Sequence, residues 1–394
     1  MARYLGPDGF GLLSYSTAVF GILAPLAILG MPEILVREFS TREDWQAVLV
    51  SALVLQLPVA VLAAAGSAVV IFMTRGFSGE VLPIVLALLP LPLFALRFTA
   101  RSYLEAKGQV RRIVRIGLIA SGLASAIKVG AVLLGGPIWV FAVAASAEAG
   151  LVAVGLLGSI GRDKGRVGLR RYFRPQVARA LLRESWPLAL AMLATTVYMR
   201  VDVLMLGILT TDSVTGTYVA AAQLSEAWYF LPVAAMAAVR PQLARLFVRG
   251  QMDEYATITQ RFMTVAFVVA FAAATMVFLF GNQLIGLVYG GAFETSALVL
   301  QIHVIAAPFV FLGIAAGQWF IDRGLTKAIL VRSATGAIAN IALNLVLIPT
   351  HGAVGAAIAT LVSYSLSGVL VNALQSRTRP LFRLQMRAIM LRWR

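Results

Sequence analysis

The sequence has no cysteine and only two histidines, His303 and His351, in 394 residues. The missing thiols exclude a disulfide framework and any thiolate metal site. The two histidines have no metal-ligand partner near them in sequence, so no metal site is expected; core packing and an interfacial position account for them. Charge is scarce too: 13% of residues are charged, against about 25% in an ordinary soluble domain. Acids are the scarcer sign, 17 against 33 basic residues. No glycine-rich phosphate loop of the P-loop kind is present, which argues against ATP as the energy source. No nucleotide or other cofactor is expected, and no long extramembrane loop carries the residues of a membrane polymerase or ligase. The chain is therefore not read as an enzyme.

What remains is apolar. Hydrophobic residues make up 60% of the chain and the mean hydropathy is +0.87. A soluble core cannot absorb that excess, because surface grows too quickly with size. Apolar runs long enough to cross about 30 Å of hydrocarbon recur instead. In lipid these must be helices, since every backbone group has to be satisfied internally. The expected fold is an all-α integral membrane protein with eleven spans: 9–31, 45–73, 81–98, 113–134, 138–160, 185–209, 217–239, 262–280, 297–320, 328–348 and 353–374.

The net charge of +16 does not point to nucleic acid, because the basic residues lie between the apolar runs and alternate in side. Arg37 and Arg42, then Arg101, Lys107, Arg111 and Arg112, then the run from Arg162 to Arg183 fall on one side. Arg240, Arg245 and Arg249, Arg323 and Lys327, and the tail from Arg377 to Arg394 continue that side. The other side carries Arg3 and Arg75 beside Asp8, Glu80, Asp212 and Glu294. The positive-inside rule makes the basic side, and the C-terminus, cytoplasmic. Residues 176–184 and 381–394 are basic and apolar at near-helical spacing, which predicts interfacial helices on anionic lipid.

The halves repeat. Moving from residue 107 to residue 323, a shift of 216, lays Lys107-Gly108 on Arg323-Gly324, Arg111 on Lys327, Gly136 on Gly352 and Lys128 on Asn344. Gly11 and Gly216 each open a span that later holds a proline, Pro25 or Pro232. The second half has six spans and the first five, so a twelve-helix pattern lacking its first helix is expected. The expected organisation is an N-terminal helical lobe over 1–160, a basic cytoplasmic linker with an interfacial helix over 161–184, a C-terminal lobe over 185–375 and a basic tail over 376–394.

Ionisable side chains inside a span cost about 2.5–3.5 kcal/mol on insertion scales, so each asks for a reason. Arg200 and Asp202 lie in span 185–209, Gln223 and Glu226 in span 217–239. From the turn near 213, Arg200 and Glu226 are equally deep, and Asp202 and Gln223 nearly so. Either Arg200 meets an anionic cargo, or it locks two helices through Glu226. Lys128 and Glu148, 8 and 12 residues from the hairpin centre near 136 and within reach of each other through a flexible lysine, form a second candidate pair, and Asn340 and Asn344 share one helical face. Arg97, Arg115 and Arg332 lie near cytoplasmic ends, where long side chains snorkel. Prolines 25, 58, 187, 232 and 308 should bend their helices.

Several stretches carry a family resemblance. They are Leu5-Gly6-Pro7-Asp8-Gly9-Phe10-Gly11, Arg200-Val201-Asp202 with Leu206-Gly207, and Ser225-Glu226-Ala227-Trp228-Tyr229. Gly317-Gln318-Trp319 and Asn344 to Pro349 with Gly352 and Gly355 belong with them. In this order they resemble the polysaccharide repeat-unit flippases of the multidrug/oligosaccharidyl-lipid/polysaccharide transporter superfamily, across nearly the whole chain. The resemblance implies two six-helix lobes around a central cavity, alternating access, and an undecaprenyl-pyrophosphate-linked oligosaccharide as cargo in a bacterial inner membrane. It also implies a possible coupling ion, proton or sodium. The substrate-cavity candidates are then Arg200, Asp202, Glu226, Gln223, Lys128, Glu148, Asn340 and Asn344. The alternative within the superfamily is a drug or cation antiporter, whose cavity should hold more acid than base.

Overall fold

The computed structural model describes residues 1–77, 79–164 and 172–392. Helices account for nearly all of it, with no strand among the described residues. The chain divides into two compact units. Unit 1 comprises Met1, Arg3–Leu5 and Leu12–Arg200; unit 2 comprises Ala2, Gly6–Gly11 and Val201–Arg394.

In chain order the helices are α1 (Ala2–Ile28), α2 (Pro32–Thr41), α3 (Trp45–Arg75), α4 (Val81–Leu88), α5 (Leu91–Phe94), α6 (Arg97–Ala106), α7 (Val110–Leu133) and α8 (Trp139–Lys164). After the linker come α9 (Pro175–Leu209), α10 (Asp212–Glu226), α11 (Phe230–Val248), α12 (Met252–Val288), α13 (Ser296–Val304), α14 (Ala307–Asp322), α15 (Thr326–Gly368) and α16 (Arg379–Ile389). Among the described residues nine helices are long and apolar enough to cross a membrane, or ten when the pair α13 and α14, bent by 41°, counts as one span. Pro308 sits in the first turn of α14, just past that bend, where its missing N–H costs least.

The segment Lys327–Ala373, 47 residues long, would measure about 70 Å if straight, over twice the hydrocarbon thickness. It is not straight. Gly352 adopts φ 54°, ψ −130°, and a Cβ placed on Gly355 would lie 2.2 Å from the Leu347 carbonyl oxygen. Residues eight apart in an unbroken helix stand about 12 Å apart, so the chain folds back at Gly352.

The internal repeat is visible in the element boundaries. The same shift of 216 carries the end of α4 at Leu88 to the end of α13 at Val304, the start of α5 at Leu91 to Ala307, the end of α6 at Ala106 to Asp322, and the start of α7 at Val110 to Thr326. The side chains follow. In unit 1 the Lys107 ammonium lies 6.0 Å from the Tyr103 ring, which meets Phe39 edge-on. At the same places in unit 2, the Arg323 guanidinium stacks 4.2 Å from Trp319 and 5.0 Å from Tyr255. Gly108 and Gly324, each following its cation, both take the left-handed φ that ends the helix.

The two stretches expected to be interfacial helices are helical over 176–184 and 381–389. Residues 176–184 are the first turns of α9, continuous with the span 185–209, because no proline or glycine interrupts them before Pro187. The part of the linker at 165–171 lies outside the described residues. In the tail, α16 docks on unit 2 by burying Leu381, Gln385 and Ala388, and Gln385 accepts a hydrogen bond from Asn372 and donates to the Gly368 carbonyl. Arg379, Arg383 and Arg387 stay exposed on its outer face. Trp393 and Arg394 lie outside the described residues.

Candidate functional site

In unit 1, Arg200 is an exposed residue in the last third of α9. Its side chain runs past Gly21 of α1, where a Cβ would sit 4.0 Å from the Arg200 Cδ. It makes no hydrogen bond or ion pair among the described residues. Glu226, its expected equal in depth, closes α10 in unit 2 and is half-buried; Gln223, one turn earlier, is exposed.

Lys128 and Glu148 do not form an ion pair. Glu148 instead accepts a hydrogen bond from Ser121 of α7 at 2.5 Å. Counted from the Gly136 turn, Glu148 lies four residues, about 6 Å, deeper than Lys128, and Ser121 is the side chain nearer its level. Lys128 is half-buried. Of the arginines expected to snorkel, Arg97 donates to the Phe94 carbonyl and Arg332 to the Gly313 carbonyl.

Unit 2 gathers a cluster of buried polar groups. Asp202 is buried, and Tyr218 of α10 donates its phenolic hydrogen to the Asp202 carboxylate. The Asp202 Oδ1 also accepts from the Val203 amide at 2.8 Å. The Tyr218 oxygen lies 3.2 Å from Thr360 Oγ1 of α15, whose one hydrogen is shared between the Ala356 carbonyl and this contact. Beside this chain, the His303 ring of α13 meets Tyr218 nearly edge-on at 6.0 Å, and its Nδ1 lies 2.9 Å from Ser225 Oγ. His303 is fully buried and its Nε2 meets no hydrogen-bond partner among the described residues. Four helices, α9, α10, α13 and α15, thus converge on one carboxylate, one phenol, one imidazole and two hydroxyls. Burying such groups unpaired costs about 1–3 kcal/mol each, so the pairing is what makes the cluster tolerable.

The sequence pointed to Asp202 but not to Tyr218, Ser225, Thr360 or His303. The signal present is a histidine inside an apolar run, which core packing by itself also explains. Asn340 and Asn344 are buried, and Asn344 Nδ2 donates to Asn340 Oδ1 at 2.9 Å along one helix rather than between helices. The Asn344 Oδ1 has no partner among the described residues.

The same unit shows why glycine opens the spans at 11 and 216. A Cβ on Gly11 would lie 1.8 Å from the Asp212 carbonyl oxygen, and one on Gly216 would lie 2.0 Å from the Pro7 oxygen. Small residues of this kind let helix backbones touch in a membrane. That contact fixes α10, and with it Tyr218.

Comparison with known proteins agrees with this architecture. The sequence profile of the family described as "Polysaccharide biosynthesis protein" matches residues 1–247, and that of the family described as "MatE" matches residues 187–346. A probable low-salt glycan biosynthesis flippase, Agl15, of Haloferax volcanii is 25% identical over 197 residues, 49% of this chain. That match spans 41% of the relative's own length. Among solved structures, an inward-facing multidrug resistance MATE family transporter of the MOP superfamily superposes with a TM-score of 0.78 at 16% identity, covering 99% of this chain and 94% of that one. The lipid II flippase MurJ, in an inward closed conformation, gives 0.64 at 14% identity, covering 99% and 89%. At these identities the two structures establish the fold.

Proposed function

Because this chain belongs to the family of polysaccharide biosynthesis proteins, we propose that it is a flippase that carries a lipid-linked oligosaccharide across a membrane. The cargo in this reading is an undecaprenyl-pyrophosphate-linked repeat unit, the membrane a bacterial inner membrane with the C-terminus on its cytoplasmic side, and the mechanism alternating access. The observation that carries it is Arg200, a guanidinium on a helix long and apolar enough to span a membrane, exposed and without a partner among the described residues. Such a charge facing lipid would cost several kcal/mol, so a water-filled surface is its place. A pyrophosphate is the anion whose oxygens a guanidinium pairs with in a fork, through two charge-assisted hydrogen bonds. The named flippase relative supports the same activity class and argues against catalysis.

Coupling is assigned to the buried group around Asp202. A carboxylate held by the Tyr218 hydroxyl, which itself leans on Thr360, is a place where a proton or sodium ion exchanges against an oriented dipole. Glu226, Gln223, Lys128, Glu148, Asn340 and Asn344 remain cavity candidates of lower rank. A drug or cation antiporter is the second reading, favoured by the match of residues 187–346 to the MatE family. Arg200 stands against it, since a cationic cargo is repelled there.

The test is complementation in a strain deleted for the gene, with surface polysaccharide and inserted protein measured together. Arg200→Ala loses export at unchanged protein level, and Arg200→Lys recovers part of it, keeping the charge without the fork. Wild-type export from Arg200→Ala combined with Glu226→Ala would instead make Arg200 a helix-locking partner and overturn the reading.

A further inference from the structure

Unit 1 contains a cavity of ≈ 460 Å³ lined by Glu33, Leu188, Met192, Thr195 and Thr196. That volume is in the range of small-ligand sites, about 300–1,000 Å³. One wall is the face of α9 that leads to Arg200: Thr196 and Arg200 are i, i+4 neighbours, about 6 Å apart along the helix. The opposite wall is the start of α2, which the fold holds firmly against α9. At Gly30 there is no room for a Cβ, which would lie 2.3 Å from the Ala189 amide nitrogen. One turn beyond Glu33, Arg37 pairs with Glu184 through two bonds of 2.6 and 2.8 Å.

Glu33 is exposed and makes no hydrogen bond or ion pair among the described residues. Arg37, the cation nearest to it along α2, is already engaged by Glu184 and Glu38. An acid therefore stands close to the place assigned to a pyrophosphate, and it repels that group. It is suited instead to neutral hydroxyl donors, for which a carboxylate is a strong acceptor. Thr196 gives its own hydrogen to the Met192 carbonyl at 2.9 Å, so its oxygen is turned to accepting. Leu188 and Met192 supply apolar surface of the kind that covers the C–H face of a pyranose ring.

From this geometry we propose that the Glu33–Thr196 cavity is a sugar subsite that binds the residue attached directly to the diphosphate. Resting on the flippase reading, it adds a polarity to the cargo: diphosphate at Arg200, first sugar toward Glu33. Glu33 sets that polarity from both ends, by accepting hydroxyls and by excluding phosphate.

The experiment compares two probes on purified full-length protein in detergent: undecaprenyl diphosphate, and undecaprenyl diphosphate bearing one N-acetylglucosamine. Wild type binds the sugar-bearing probe about tenfold more tightly, the worth of one hydrogen bond to a charged group. Glu33→Gln, which keeps the shape, and Thr196→Val each remove most of that ratio. Arg200→Ala weakens both probes together and leaves the ratio standing. A wild-type ratio near one, or a ratio unchanged in Glu33→Gln, overturns the subsite while leaving the role of Arg200 intact. An affinity of Arg200→Ala for each probe equal to that of wild type sinks the flippase assignment of Arg200 instead. Melting temperatures are read beside the affinities. Glu33 also lies in the first turn of α2, where a negative charge favours the helix N-terminus. A lower melting temperature at constant ratio would reduce Glu33 to that role and overturn the proposal.

Discussion

The bond between Tyr218 and Asp202 admits a quantitative test. Tyr218→Phe removes one oxygen and adds no volume, so the rings around it, including His303, need not move. What is lost is a hydrogen bond to a buried carboxylate, with Tyr218 1% and Asp202 8% exposed. Hydrogen bonds to charged groups contribute about 1.5–3 kcal/mol. For a unit of roughly this size each kcal/mol moves the melting temperature by about 2–4 °C, so a fall of about 3–12 °C is expected. Asp202→Asn destabilises as well, but it also takes away the charge that makes the Tyr218 bond strong. In the double variant the second substitution therefore costs less than it does alone, by about 1 kcal/mol or more. The assay is thermal unfolding of the four proteins in one detergent, followed by intrinsic fluorescence. Additive losses, within about 0.5 kcal/mol, would show that the two residues do not act as a pair and would refute the network.

Two further outcomes follow from the same structure. Gly216→Ala should abolish folded, inserted protein, because its Cβ would lie 2.0 Å from a backbone oxygen that has nowhere to go; normal yield in a membrane fraction would refute the close contact. Reporter fusions should place the segment after residue 376 in the cytoplasm and residue 212 outside, and the opposite result would refute the orientation read from loop charge.

Much of this was legible in the chain. The bend of α13 against α14 is marked by Pro308, whose repeat partner Pro92 lies in the same turn after α4. The repeat itself was legible because it is written in punctuation, a cation followed by glycine at 107–108 and again at 323–324. Arg200 and Asp202 stood out because charge in an apolar run is costly wherever the run lies. The remaining members of the buried cluster were not legible. Tyr218 and Thr360 are 142 residues apart and meet across two helices, and no periodicity within either helix encodes that meeting. The Lys128–Glu148 pairing misled because a flexible lysine can span an offset of four residues, while Ser121 of the neighbouring helix takes the Glu148 carboxylate instead.

The sequence by itself determined the class of molecule and its long apolar helices. Those properties depend on free energies of transfer, which add up residue by residue and hardly depend on neighbours. Only the tertiary structure decided that Gly11 touches α10, that the buried His303 stands beside Tyr218, and that Glu33 faces the wall of α9. In lipid, helix association is driven by packing and short polar contacts, which depend on shape at a few points. Those points become neighbours only once the helices have chosen their partners.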